Sequence, residues 1–76
     1  MLKIGSFNQE VPANTQLSVE GQNEFVVLEM QDGKAATILA RSNDRHLKFT
    51  TRKDAVLRFE TPAKGFISVD ARPARS

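Results

Sequence analysis

The chain contains no cysteine, tryptophan or tyrosine, and its 76 residues include a single histidine. Without cysteine it has neither a disulfide nor a thiolate zinc site, the two kinds of cross-link that often stabilise small domains. A chain of this length buries only roughly 60% of the surface that its unfolded form exposes, so there is room for one domain and one core. We therefore expect part of its stability to come from association with partners.

Long apolar runs are also absent. No stretch approaches the roughly 18 apolar residues of a membrane-spanning helix, and "MLKIGSF" lacks the basic start and the apolar segment of a signal peptide. We expect a soluble chain that begins at its own Met1. The sequence does not indicate a compartment, because a chain without cysteine functions in reducing and in oxidising surroundings alike.

Residue patterns that support catalysis are scarce. His46 stands in a polar loop with no second histidine and no cysteine, which is too few ligands for a metal site. Ser42 and Ser68 lack the tight turn that presents a nucleophilic serine. The four glycines are isolated, so no phosphate-binding loop is present. We expect no enzyme, no catalytic residue, no metal, no cofactor and no small-molecule substrate.

Short segments rich in β-forming residues recur about every ten residues and alternate with Gly, Pro, Asn and Asp. This pattern predicts an all-β fold, a small antiparallel β-sandwich or barrel of about six to seven short strands. The predicted strands lie near residues 2–7, 16–20, 24–31, 34–42, 47–52, 56–61 and 66–70. We expect one domain over residues 1–76, with a polar connection near 8–16 and a loose basic tail at 71–76.

The dipeptide Asp32-Gly33 predicts a hairpin with a two-residue turn. Closing the turn there pairs Gln31 with Lys34, Met30 with Ala35 and Val26 with Leu39, whereas Ile38 is assigned to the other face. Apolar side chains are thus predicted on both faces of the hairpin. A half-exposed strand normally alternates apolar and polar residues, so the hairpin is either central to the fold or covered by another molecule. In the second case the candidate interface comprises Val26, Leu28, Met30 and Leu39.

Charge is divided unevenly along the chain. The net charge is +2, but residues 1–40 carry two Lys against five acids, whereas residues 41–76 carry nine Lys and Arg against four acids. This division from −3 to +5 suits an acidic partner, nucleic acid, or head-to-tail docking of copies. The candidate basic surface comprises Arg41, Arg45, Lys48, Arg52 and Lys53.

The segment from residue 47 to 61 predicts a second hairpin in which Phe49 lies opposite Phe59. Alternation then directs both phenylalanines inward, away from Lys48 and Arg52, and places Val56 on the outer face opposite Arg52. Proteins that bind single-stranded nucleic acid combine basic side chains with exposed aromatic rings on the same face. The sequence therefore favours a solvated or partner-facing basic surface over a nucleic-acid site.

Two hypotheses remain. The first is a structural or interaction protein that self-associates or docks on a larger assembly, by analogy a virion component that decorates or cements a capsid. The alternative is a small β-barrel that binds single-stranded nucleic acid. Protein partners, either the chain itself or a larger assembly, are favoured over nucleic acid, and no membrane partner is expected.

Overall fold

The computed structural model describes residues 1–74, which form eight strands and no helix. The strands are β1 (Leu2–Ile4), β2 (Phe7–Val11), β3 (Thr15–Gly21), β4 (Val26–Gln31), β5 (Lys34–Arg41), β6 (His46–Thr50), β7 (Ala55–Glu60) and β8 (Phe66–Pro73). The all-β prediction is confirmed.

Two antiparallel sheets of four strands pack face to face. The first sheet has the order β1-β8-β3-β6, and the second has the order β2-β7-β4-β5. Every connection between consecutive strands passes from one sheet to the other, except the β4–β5 hairpin, which stays within the second sheet. The fold is therefore a small sandwich whose strand partners are mostly distant in sequence.

Alternating apolar residues from both sheets fill the space between them. The buried set is Val11, Leu17, Val19, Phe25, Val27, Leu57, Phe59, Ile67 and Val69. Phe7 stacks on Phe59 with ring centroids 5.1 Å apart. These side chains alternate with outward-facing residues because successive residues of a strand point to opposite faces.

The predicted first strand is divided in two, which is why the fold has eight strands. Gly5 adopts a φ of +79° and donates a backbone hydrogen bond to the carbonyl of Gly65 at 2.8 Å. Positive φ is readily accessible only to glycine, and here it turns the chain from the first sheet to the second. β1 and β2 consequently lie at the edges of different sheets.

The polar connection predicted near residues 8–16 is mostly strand. Phe7–Val11 form β2, and only residues 12–14 connect it to β3. The segment is polar because β2 is an edge strand, on which Asn8 and Glu10 are exposed while Val11 is buried. The tail expected at 71–76 also differs, because β8 continues to Pro73 opposite Thr15. Residues 75 and 76 lie outside the described part of the chain.

The predicted hairpin of residues 47–61 is wrong. β6 pairs with β3, so that Phe49 lies opposite Leu17, whereas β7 pairs with β2 and β4. The inward side of each strand was nevertheless predicted correctly, since Leu57 and Phe59 are buried and Leu47 and Phe49 pack against the core. The chain crosses the sandwich at Thr51, which is buried and hydrogen-bonded to Thr15.

Candidate functional site

The β4–β5 hairpin begins as the sequence predicts. Asp32 and Gly33 have φ values of 53° and 76°, the positive values that a primed two-residue turn requires. Gln31 pairs with Lys34, and Met30 pairs with Ala35. The predicted turn and the first two residue pairs are therefore confirmed.

Beyond these pairs the register changes twice. Irregularities between Glu29 and Met30 and between Val27 and Leu28 each insert one extra residue into β5. As a result β5 places every third residue on the outer face of the second sheet. Ala35, Ile38 and Arg41 lie opposite Met30, Leu28 and Val26 respectively.

This change moves Leu39 away from the predicted interface. The sequence placed Leu39 opposite Val26, but Arg41 occupies that position. Leu39 instead lines a cleft of about 560 Å³ between the two sheets, together with Phe49 and Leu57. Bulges depend on local backbone twist as well as on side-chain type, so a simple count from the turn misassigns residues beyond them.

The outer face of the second sheet carries a contiguous group of apolar side chains, which we call the apolar face. Val26, Leu28 and Met30 of β4 are half-buried, whereas Ile38 of β5 and Val56 of β7 are 49% and 37% exposed. Cross-strand pairing makes these five residues neighbours, with Met30 between Ala35 and Val56 and Leu28 between Ile38 and Arg58. Three of the four predicted interface residues are thus together.

Charged residues surround the apolar face and are of both signs. Arg58 pairs with Glu60 at 3.1 Å and also donates a hydrogen bond to Asn8 at 3.1 Å. Glu10 of β2 lies at one corner of the apolar face, where it pairs with Val56, which in turn pairs with Met30. Arg41 lies at the diagonally opposite corner, beside Val26. Within residues 1–74, neither Glu10 nor Arg41 has an ion-pair partner.

The five residues of the predicted basic surface do not share a face. Arg41 lies on the outer face of the second sheet, whereas Lys48 lies on the outer face of the first sheet, opposite Ser18. Arg45 is in the turn before β6 with a φ of 64°. Arg52 and Lys53 lie in the β6–β7 connection, where Lys53 forms an ion pair with Glu29 at 3.6 Å.

Among residues 1–74, a single aromatic ring lies on these outer faces: Phe66 of β8, which is half-buried on the first sheet opposite β1 and two rows along the sheet from Lys48. Phe49 packs against the core and lines the cleft between the sheets. The two phenylalanines of β2 and β7, Phe7 and Phe59, stack on each other inside the sandwich. In the part of the chain that the structure describes, one half-buried ring among dispersed basic side chains offers less stacking surface than single-strand binders use.

His46 lies on the outer face of the first sheet, directly opposite Glu20. Among the described residues, no three His, Cys, Asp or Glu side chains are placed so that they could hold a metal ion.

The hydroxyl of Ser42 donates a hydrogen bond to Glu24 and accepts one from the backbone N–H of Phe25, so it stabilises the loop before β4.

Two residues of the apolar face were missed by the sequence analysis. Val56 was assigned to an outer strand face but not to an interface, because its true neighbour Met30 lies 26 positions earlier in the chain. Ile38 was assigned to the opposite face, because the bulges were not foreseen. Alternation within "AVLRFE" was the available signal for Val56, whereas nothing in the sequence indicates the position of Ile38.

Comparison with known proteins identifies no relative: no family model, no curated protein and no solved structure matches this chain. Within residues 1–74 there is no helix with the length and apolar character needed to cross a membrane.

Proposed function

We propose that this protein is a non-enzymatic interaction protein, which docks on another protein surface through the apolar face of its second sheet. The observation that carries this proposal is the difference between the central parts of the two outer faces. The apolar side chains of the first sheet's outer face, Leu2, Ile4 and Phe66, are confined to its β1 edge, whereas those of the second sheet occupy its centre. In each sheet, three neighbouring strands each contribute three outward-facing residues at matching positions, which together form a grid of nine. The composition of these nine residues can therefore be compared between the two sheets.

The outer grid of the first sheet is polar throughout. It comprises Gln16, Ser18, Glu20, His46, Lys48, Thr50, Ser68, Asp70 and Arg72. The equivalent grid of the second sheet contains six apolar residues among nine, namely Val26, Leu28, Met30, Ala35, Ile38 and Val56, with Arg41, Arg58 and Glu60 as the remainder. A sheet face in contact with water is expected to resemble the first grid.

Covering this face would be energetically favourable. Fully burying one Val, Leu, Ile or Met side chain contributes about 1.5–3 kcal/mol, and the five large side chains of the apolar face are already partly buried. Covering what remains exposed would thus contribute roughly half of that value for each of them. A chain of 76 residues without a disulfide gains a substantial fraction of its stability from such a contact.

The setting that we propose is the surface of a larger assembly, of the kind occupied by proteins that decorate or cement virus capsids. This setting is an analogy from small size and an apolar docking face. The nucleic-acid alternative has less support, because the basic side chains are dispersed over different faces and the outer faces carry only one ring, Phe66, among residues 1–74.

Carbene footprinting, read residue by residue by mass spectrometry, tests whether the apolar face is covered. The labelling of Met30 and Ile38 should be lower in undiluted extract of cells that produce the protein than in the dilute purified chain. Lys48 and Thr50 on the first sheet serve as the reference and should label equally in both samples. Equal labelling of Met30 in the two samples would contradict the proposal.

A further inference from the structure

We propose that the partner of the apolar face is a second copy of this chain, packed face to face with its strands crossing at about a right angle. This inference rests on the proposed function, because it names the partner of the same face. It follows from the positions of Glu10 and Arg41, the two charges of this face that have no ion-pair partner within residues 1–74.

The register of the sheet gives the positions of these two charges. Neighbouring strands lie about 4.8 Å apart, and residues on one face of a strand repeat about every 6.8 Å. Relative to the centre of the four-stranded face, Arg41 on β5 lies roughly 7 Å across the strands and roughly 7 Å along them. Glu10 on β2 is displaced by the same amounts in the opposite directions.

Because the two displacements are equal, one twofold axis brings each Arg41 onto the partner's Glu10. This axis lies in the plane of the face along the other diagonal. Rotation about it exchanges the direction along the strands with the direction across them, which is why the strands of the two copies cross at about 90°. Orthogonal packing is one of the two arrangements that face-to-face sheets adopt.

The same rotation also places apolar side chains on each other. Ile38, in the middle of β5, is positioned over the gap between Val56 and Met30 of the other copy. Leu28 lies close to the axis and therefore near its own equivalent. Arg58, also near the axis, is already neutralised by Glu60 at 3.1 Å.

The other three in-plane twofold axes are less favourable. The axis along the diagonal through Glu10 and Arg41 places each charge on its own equivalent. An axis parallel to the strands places Glu10 over Ala35, and an axis perpendicular to them places Arg41 over Ala35. Each of the latter two arrangements buries a charge against a methyl group without a compensating partner, which costs free energy. Charge complementarity therefore selects the other diagonal axis.

The size of the face indicates a weak dimer. Four strands of five to six residues cover roughly 20 by 18 Å, so that two such faces bury about 700–800 Å² in total. This area lies below the roughly 1,200–2,000 Å² of stable complexes. We expect a dissociation constant on the order of 10–100 µM, in rapid exchange.

Sedimentation equilibrium of the full chain between about 1 and 500 µM tests this proposal. Glu10 and Arg41, the charged residues at the two corners of the face, allow a charge-reversal experiment. Glu10→Arg and Arg41→Glu should each weaken the dimer by about tenfold or more, because each puts like charges together at two symmetric corners. An equimolar mixture of the two variants should dimerise as tightly as the unmodified chain, since both corners again pair opposite charges. Glu20→Arg, the same change on the polar first sheet, should have no effect.

Thermal midpoints of all variants establish that they are folded, and Ile38→Lys provides a second disruption that does not depend on the charged corners. A monomer at every concentration would overturn the inference, as would a dimer that the mixture fails to restore. If the chain is monomeric while footprinting shows Met30 covered in extract, the face docks on a different protein, so that this inference fails and the proposed function stands.

Discussion

Thr51 is the polar residue on which the crossing between the two sheets depends, and Thr51→Val should destabilise the protein. The side chain is 7% exposed. Its hydroxyl accepts a hydrogen bond from the backbone N–H of Thr15 at 3.0 Å and donates one to the carbonyl of Pro12 at 2.8 Å. Valine has nearly the same shape and the same branching at Cβ, so the substitution removes these two bonds with little change in packing.

The expected loss of folding stability depends on which backbone groups lose their hydrogen-bond partners. The carbonyl of Pro12 keeps a bond from the Thr15 hydroxyl at 2.9 Å, whereas the N–H of Thr15 has no second acceptor in the described contacts. One buried N–H without a partner costs about 1–3 kcal/mol. For a domain of this size that loss lowers the thermal midpoint by roughly 5–20 °C.

Thr50→Val is the matched control, because Thr50 is the preceding residue and is exposed on the outer face of the first sheet. Its midpoint should change by no more than about 2–4 °C, as is usual for surface substitutions. Circular dichroism during heating measures both variants, and amide hydrogen exchange at Thr15 gives a local readout. Equal midpoints for the two variants, or unchanged exchange at Thr15, would refute the reasoning.

Other predictions concern the turns and the basic residues. Gly33→Val should lower stability by about 1–3 kcal/mol because a β-branched residue is strained at a φ of 76°, and Asp32→Asn should change it by less than about 0.5 kcal/mol; urea titration compares the two. Arg45→Gly should raise stability by about 0.5 kcal/mol, since Arg45 has a φ of 64°, and a decrease in the urea midpoint would contradict this. Labelled single-stranded oligonucleotides should show no submicromolar binding near about 150 mM salt in a fluorescence titration, and binding that persists there would favour the nucleic-acid alternative.

Local patterns in the sequence were sufficient for features that depend on neighbouring residues. Alternation assigned Leu57 and Phe59 to the core, because the side to which a residue points follows from strand periodicity alone. The Asp32-Gly33 turn was predictable because its φ values restrict the choice of residues. The all-β class followed from the same kind of information, repeated along the chain.

Strand pairing was decided only in the tertiary structure. β6 and β7 follow each other in the chain and have compatible inner faces, yet they lie in different sheets. Many pairings of such strands bury similar apolar area, and the choice among them depends on how all eight strands fill one core. The buried hydrogen bonds of Thr51 contribute to that choice, and a polar residue next to Arg52 gives no sign of them in the sequence.

The candidate site shows the same division. The sequence by itself determined that Val26, Leu28 and Met30 share one side of β4, because they occupy every second position of a continuous strand. Only the tertiary structure added Ile38 and Val56 and removed Leu39. Two bulges rotate β5 relative to β4, and the neighbouring strand β7 comes from a distant part of the chain. Both effects arise from the twist and packing of the complete sheet, which no short segment specifies.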